Sequence, residues 1–396
     1  MLADVMLAEP TEEASEGTMW LHPDGMIGIV PLPGGVWRIF AELPRGDPLA
    51  QGGRTAATAL TNTSPVSEAV LDRARVLLRE RAGDAAPSIA CGTWTSVFQF
   101  HRRIASACRR DRFFLAGDAA HIHSALGGQG MNTGIGDAFN LGWKLACVIT
   151  GGASEKLLDT YEAERRPVAA DVVRQTSRAW NLLIGRTVFD RLLRDHALLP
   201  ILRWPAMQQR WLETGSQLRV SYRGGPLAPT TFGDRLRRFV VHMPLAGDRA
   251  PNAACRTVPG GKATTLGALI GADWGLLLFG GAAADQQACA TAAQRHLDPL
   301  QVIAVEPGSE GRAGSPRARA TGRVVQDHEG AVARAYSPGR CSAILLRPDG
   351  HIAWRSSRLS PDGLVAWCAA NGMHRPAPGF DSVDRTAVSA EPFAGR

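Results

Sequence analysis

The segment Arg112–Ala146, "RFFLAGDAAHIHSALGGQGMNTGIGDAFNLGWKLA", decides how the chain is read. Phe113, Phe114, Leu115 and Ala116 form an apolar run suited to a central strand buried on both faces. Gly117 and Asp118 fall at its carboxyl end, where α/β sheets bind ligands. A glycine-rich loop follows, and then a helix beginning near Met131. Gly127, Gly128 and Gly130 carry no Cβ, so the backbone can approach a flat ligand closely. Asp118 can accept hydrogen bonds from ligand hydroxyls. The helix start points free N–H groups and its positive end at the loop, a setting for a ligand that carries or gains negative charge.

The rest of the chain sets the bounds. With 396 residues, two or three domains can each close a core. No apolar run reaches the length of a membrane span, and the N-terminus lacks the basic start and apolar core of a signal peptide. The net charge of +7 comes mainly from scattered arginines; only Lys144, Lys156 and Lys262 are lysines. Without a basic run or aromatic–basic alternation, nucleic acid is not an expected partner. Seven dispersed cysteines with no CxxC pair argue against a disulfide framework or zinc site and fit a reducing cytoplasm.

Three blocks follow along the chain. Strand-like pieces at Trp20–Leu21, Met26–Leu32, Val36–Leu43 and Trp94–Phe100, with glycine turns between them, predict an antiparallel sheet. The spacing of Val66, Val70, Ala74, Leu77 and Leu78 predicts a helix over Val66–Arg81. In the second block, Ile135, Phe139, Leu145, Ala146 and Ile149 recur near helical spacing and predict the apolar face of a helix ended by Gly151-Gly152. A second helix from Ser154 has Leu157, Leu158 and Tyr161 on its apolar side, a candidate Glu162–Arg166 pair, and a candidate kink at Pro167. The third block reads as a small α/β layer, with strands at Gly275–Phe279, Leu300–Val305, Ser342–Arg347 and His351–Arg355. Helices are expected there at Ala283–His296 and Pro361–Ala370.

The string Arg112–Ala146 resembles the second FAD fingerprint of the flavin-dependent aromatic hydroxylases, the class A flavoprotein monooxygenases of the p-hydroxybenzoate and phenol hydroxylase type. The likeness continues through Leu157, Leu158, Tyr161, Glu162, Glu164, Arg165, Arg166 and Pro167. By resemblance, Gly117 and Asp118 meet the ribityl chain, and Gly127, Gly128, Gln129, Gly130, Met131 and Asn132 lie along the flavin ring. "HPDGMIGIVPLPGGVWRIFAE" (22–42) is similar to the family's substrate-domain sheet, and "DHEGAVARAYSPGRCSAILLRPDGHIAWR" (327–355) to its thioredoxin-like C-terminal domain.

The fold this implies is α/β (α+β), a partial Rossmann-like FAD domain with an antiparallel substrate-domain sheet and a thioredoxin-like domain. The expected boundaries are 1–105 for the substrate sheet, 106–185 for the FAD-domain part, 186–223 for a helical connector, 224–375 for the thioredoxin-like domain and 376–396 for a disordered tail. The resemblance implies a cytoplasmic monooxygenase with FAD as cofactor and NAD(P)H as reductant. It would hydroxylate an aromatic or polyketide-like molecule with O₂ through a flavin hydroperoxide. No catalytic residue is singled out. Lacking the redox CxxC, the C-terminal domain is expected to be structural or a surface between copies of the chain.

The sequence departs from the family in two places. Ala125 follows Ser124 where the family often has proline, and no G-x-G-x-x-G follows a first strand to cradle a pyrophosphate. The family's middle Asp-Gly motif is also missing. The reading is therefore of an N-terminally truncated member that binds FAD weakly on its own and exposes an edge of the sheet carrying Phe113–Ala116. A non-catalytic remnant or interaction module is the alternative. His101, His121 and His123 lack a carboxylate or cysteine to complete a metal site, and Gly260–Thr264 does not match a phosphate loop.

Overall fold

The computed structural model describes residues 1–9, 17–44, 46–52, 66–98, 101–122, 128–185, 187–202, 204–229, 243–308, 322–339 and 341–374. The chain forms two compact units that do not follow chain order. One comprises Met1–Arg103, Ile122–Gln129 and Asp171–Leu212; the other comprises Ile104–His121, Gly130–Ala170 and Glu213–Arg396.

The first unit is built on a five-stranded antiparallel sheet of β1 (Leu2–Leu7), β2 (Thr18–His22), β3 (Gly25–Pro31), β4 (Trp37–Ala41) and β5 (Ile89–Ser96). Its order is β2-β3-β4-β1-β5, so the expected meander is present with β1 inserted beside β4. Helix α1 (Glu68–Ala82) lays Val70, Leu71, Ala74, Leu77 and Leu78 on one face of the sheet, against Ala3, Val5, Ile27, Ile29 and Ile39. Its buried Arg81 donates to the carbonyls of Met26 (2.8 Å) and Asp24 (3.0 Å), pinning the helix end to the β2–β3 turn. Asp171–Leu212 contributes helical pieces, among them Val188–Leu193 and Pro205–Gly215.

The second unit joins the fingerprint to the C-terminal sheet. β6 (Arg109–Arg110) and β7 (Phe113–Phe114) pair as a two-stranded hairpin. This corrects the expected central strand: Phe113 is 79% exposed and β7 is only two residues long. Among the described residues only β6 pairs with β7, and strand apolarity alone does not supply a second neighbour. Helices α2 (Gln129–Ile149) and α3 (Lys156–Ile184) follow; α3 runs through Pro167 as one element, and its residues from Asp171 on are counted with the first unit.

The C-terminal sheet has seven strands: β8 (Ala254–Val258), β9 (Ala263–Thr265), β10 (Trp274–Phe279), β11 (Leu300–Pro307), β12 (Arg323–Asp327), β13 (Ser342–Leu346) and β14 (Ile352–Ser356). Their order is β9-β8-β12-β11-β10-β13-β14, with β10, β11 and β12 mutually parallel and the other pairings antiparallel. Residues of β10 alternate between two cores. Leu276 and Leu278 face α4 (Ala283–Gln294) and α6 (Pro361–Ala370), while Leu277 and Phe279 face α5 (Ala331–Tyr336). Burial on both faces accounts for the nearly continuous apolar run of β10. The sequence reading missed β8, β9, β12 and α5. The first three are short and mix polar with apolar residues, and Gly260-Gly261-Lys262 is the turn between β8 and β9.

The first core also takes in Trp143 of α2 and Leu157 of α3. Trp143 packs edge-to-face on Trp274, with ring centroids 5.3 Å apart. Favourable quadrupole geometry adds about 1 kcal/mol to such a contact beyond area burial. The fingerprint helices and the C-terminal sheet thus share one core.

Helix α2 is inverted relative to expectation. Its buried residues are Thr133, Asp137, Asn140, Trp143 and Lys144, whereas Ile135, Phe139 and Ile149 are exposed, Phe139 by 58%. The apolar spacing identified the helix but pointed to the wrong face. Apart from Trp143, the buried face carries polar and charged side chains that are paired with one another.

Candidate cofactor turn and its buried ion network

Gly117–Ala119 forms a single 3-10 turn after β7, and Asp118 is exposed on it. Gly117 has φ +58°, a left-handed conformation that glycine adopts without Cβ strain. The turn lies against α2. A β-carbon built on Gly134 would stand 3.2 Å from the Gly117 Cα, so two glycines permit this approach. The Gly117 amide donates to Asp137 Oδ2 at 3.0 Å, fastening the turn to the helix.

Asp137 is the centre of a buried cluster. Its Oδ2 lies 2.7 Å from His121 Nε2, which must carry the hydrogen toward an ionised carboxylate. Its Oδ1 accepts from Arg165 Nε at 2.7 Å. Burial pushes the Asp137 carboxyl up, but His121, Arg165 and the Gly117 amide together hold it below the usual carboxylate range. Arg165 also donates to the Thr133 carbonyl (2.9 Å) and to the Tyr222 hydroxyl oxygen (3.0 Å). A Cβ on Gly136 would lie 2.9 Å from this guanidinium, which explains the second small residue on the helix face.

A second cluster continues along α2. Glu164 Oε2 accepts from Asn140 Nδ2 and Lys144 Nζ, each at 2.8 Å. Arg347 donates to both Glu164 oxygens, at 2.7 and 2.9 Å. Asp349 pairs with Arg347 and accepts from the Trp143 indole at 3.1 Å. Burial raises the Glu164 carboxyl, but Arg347 and Lys144 outweigh it and bring the pKa to about 2. Burial lowers Lys144 to about 8, with Glu164 opposing. Arg347 is held above, and Asp349 below, its ordinary range by the pairing between them, against burial.

The structure therefore brings Gly117 and Asp118 against the first turns of α2, where Met131 and Asn132 lie, Met131 exposed and Asn132 half-buried. Gly128 has φ +61° with open space where a Cβ would be, and Gln129 and Gly130 begin the helix. Gly127 and His123 lie outside the described residues. Among the described residues, no cluster of histidine, cysteine and carboxylate could hold a metal ion. A cavity of about 430 Å³ on the C-terminal sheet, walled by Trp354, Trp367 and Arg355, contains none of the expected cofactor residues. The proposed Glu162–Arg166 pair is replaced. Glu162 accepts from the amides of Cys108 and Arg109, and Arg166 donates to the Ala105 carbonyl.

These features suit a flavin. An exposed carboxylate can take ribityl hydroxyls, positive-φ glycines let backbone approach a ring, and the 21-residue helix packed against the turn carries a positive amino end. In the sequence, Asp137, Asn140 and Lys144 stand out only within the resembling string Arg112–Ala146, and Glu164 and Arg165 only in its continuation. The available signal was polar residues at i, i+4, i+7 and i+11 of α2, opposed by Glu164 and Arg165 in the next helix.

Comparisons with known proteins agree. Residues 55–176 match the FAD binding domain family, and residues 243–360 match the family described as aromatic-ring hydroxylase, C-terminal. The 6-methylpretetramide 4-monooxygenase of Streptomyces rimosus is 34% identical over 280 residues, covering 69% of this chain and 47% of that protein. The rifampicin monooxygenase of Rhodococcus hoagii is 65% identical over 148 residues, 37% of this chain and 30% of its own. The chain thus spans less than half the length of these curated relatives. Among solved structures, the anhydrotetracycline hydroxylase OxyS from Streptomyces rimosus superposes with a TM-score of 0.63 at 28% identity, over 95% of this chain and 63% of that one. No helix among the described residues is long and apolar enough to cross a membrane. By both family matches and by fold, the chain belongs to the FAD-dependent aromatic hydroxylases.

Proposed function

We propose that the chain acts in flavin-dependent monooxygenation of an aromatic or polyketide-like small molecule, consuming NAD(P)H and O₂. The observation that carries this reading is the Gly117–Asp118 turn fastened to the start of α2 by Gly134 and Asp137, within a segment of the FAD binding family. FAD, when bound and reduced, supplies the oxygen activation and transfer. The chain's residues bind and orient it. Asp118 accepts hydrogen bonds from ribityl hydroxyls, while Gly128, Gln129, Gly130, Met131 and Asn132, with Gly127 before them, line the ring. The positive end of α2 favours the negative charge the ring gains on reduction. Substrate contacts are assigned to the sheet around Met26–Phe40. Relatives named for pretetramide, anhydrotetracycline and rifampicin oxygenation support a polycyclic aromatic substrate. In this reading the reaction belongs to the cytoplasm, where NAD(P)H is at hand, and the C-terminal sheet serves as support and as the surface between any copies of the chain.

The test is titration of the purified chain with FAD, followed by flavin fluorescence, in the parent and in Asp118→Ala. Saturable quenching in the parent, weakened about tenfold in the variant, supports the reading, since a charge-assisted hydrogen bond contributes roughly 1.5–3 kcal/mol. NAD(P)H oxidation that adds one oxygen to an aromatic polyketide would complete it. A chain that takes up no flavin sinks it.

A further inference from the structure

A line of polar contacts leads from the β13–β14 hairpin of the C-terminal sheet to the candidate cofactor turn. Arg347, at the end of β13, lies over the Tyr222 ring at 5.0 Å, and the His351 ring packs on the same tyrosine at a tilt, with centroids 4.3 Å apart. The Tyr222 hydroxyl oxygen accepts from Arg165, Arg165 holds Asp137, and Asp137 holds the amide of Gly117, next to Asp118. Arg347 reaches the same helix pair independently through Glu164 and Lys144.

Joining a helix pair to a sheet does not require this arrangement. Apolar packing does so at a lower desolvation cost, as Trp143 on Trp274 already shows. Six charged side chains are buried instead: the cations Lys144, Arg165 and Arg347 and the anions Asp137, Glu164 and Asp349. Low dielectric makes an unpaired member costly, so the array tolerates few geometries. Arg165 shows the constraint, because its Nε and its two terminal nitrogens each face a different partner. Arg165 therefore links the Tyr222 hydroxyl to Asp137, the carboxylate that receives the Gly117 amide.

We propose that Tyr222 and Arg347 are positioning residues for the candidate flavin site, setting the Gly117–Asp118 turn through Arg165 and Asp137. This gives the C-terminal sheet a part in cofactor binding without any redox chemistry of its own. The ligand in this inference rests on the flavin reading above; the geometry does not.

The test compares Tyr222→Phe with Tyr336→Phe in the full chain. Tyr336 is also buried in the C-terminal unit, and its hydroxyl donates to the Pro251 carbonyl at 2.7 Å, outside the relay. Each variant loses one buried hydroxyl hydrogen bond. Hydrogen–deuterium exchange on the unliganded chain should be about tenfold faster over Leu115–Ala120 in Tyr222→Phe and unchanged there in Tyr336→Phe. Arg347→Lys, which keeps the charge and loses the fork, should move the same amides in the same direction. FAD affinity should fall about tenfold in Tyr222→Phe and hold in Tyr336→Phe. Equal exchange in the two tyrosine variants overturns the proposal, as does faster exchange in Tyr222→Phe with FAD affinity unmoved. If the parent chain takes up no FAD, the flavin reading fails, and the exchange comparison alone decides the positioning role.

Discussion

Gly117 and Gly134 meet backbone to backbone, close enough that a Cβ on Gly134 would stand 3.2 Å from the Gly117 Cα. One glycine ends the strand-to-turn passage and the other sits in the first turns of α2, so their contact sets how near the turn comes to the helix. Alanine at 134 gains helix propensity, up to about 1 kcal/mol. It also forces the turn outward by a few tenths of an ångström. We expect Gly134→Ala to leave urea midpoints nearly unchanged while weakening FAD capture, a split that titration and denaturation on the same preparation will show.

Removing one partner from the second cluster should cost far more. Glu164→Gln leaves Lys144 and Arg347 buried without their shared counter-charge. Broken buried pairs cost about 3–5 kcal/mol. Urea denaturation at neutral pH should show that loss, whereas Glu155→Gln, at an exposed position, should shift stability by less than about 0.5 kcal/mol.

Glu164 also predicts an acid response. Its pKa falls from the ordinary 4.5 to about 2 in the fold, so folding favours the ionised form. A depressed carboxylate contributes stability that is fully present above the unfolded pKa and is lost as pH falls toward the folded one. Stability should therefore drop between about pH 4.5 and 2, with this group contributing on the order of 3 kcal/mol. Lys144 works in the other direction. Its folded pKa of about 8 lies below the ordinary 10.5, so the unfolded chain binds more protons between those values and stability gains as pH rises through them. Denaturation midpoints from pH 2 to 10 check both slopes, and the acid slope should shrink in Glu164→Gln.

The inverted polarity of α2 yields a paired prediction. Ile135→Gln with Phe139→Gln alters exposed apolar positions and should leave stability within about 0.5 kcal/mol. Asn140→Leu, although more hydrophobic, removes one hydrogen bond from the buried Lys144 ammonium and one from Glu164 Oε2, and should destabilise by roughly 1–3 kcal/mol. Thermal or urea unfolding of the two variants gives the comparison directly.

The sequence made some parts of this structure legible and hid others. Strands with long apolar runs or clean alternation, such as β10, β13 and β3, were legible because burial dictates their composition. Helix α6 lay between the residues expected, where Ser360 caps it and Pro361 starts it. The Gly117–Asp118 turn was legible from its motif, and the structure adds why it holds its shape. The burial of Phe113 and of the Ile135–Phe139 face was misread for one reason. Hydrophobic periodicity reports a face but not whether a neighbour covers it. The ion network escaped because its members come from segments 183 residues apart at Glu164 and Arg347, and no local pattern encodes that pairing.

The fork of Arg347 on Glu164 limits how this architecture can be rearranged. A chimera that takes its C-terminal segment from another hydroxylase inherits whatever side chain faces Glu164 there. Unless that residue brings a positive fork, the graft strips the buried acid of one of its two cationic partners and leaves it with Lys144. Such segments are exchangeable only together with their electrostatic counterparts, so compatible donors can be chosen by inspecting this one pair.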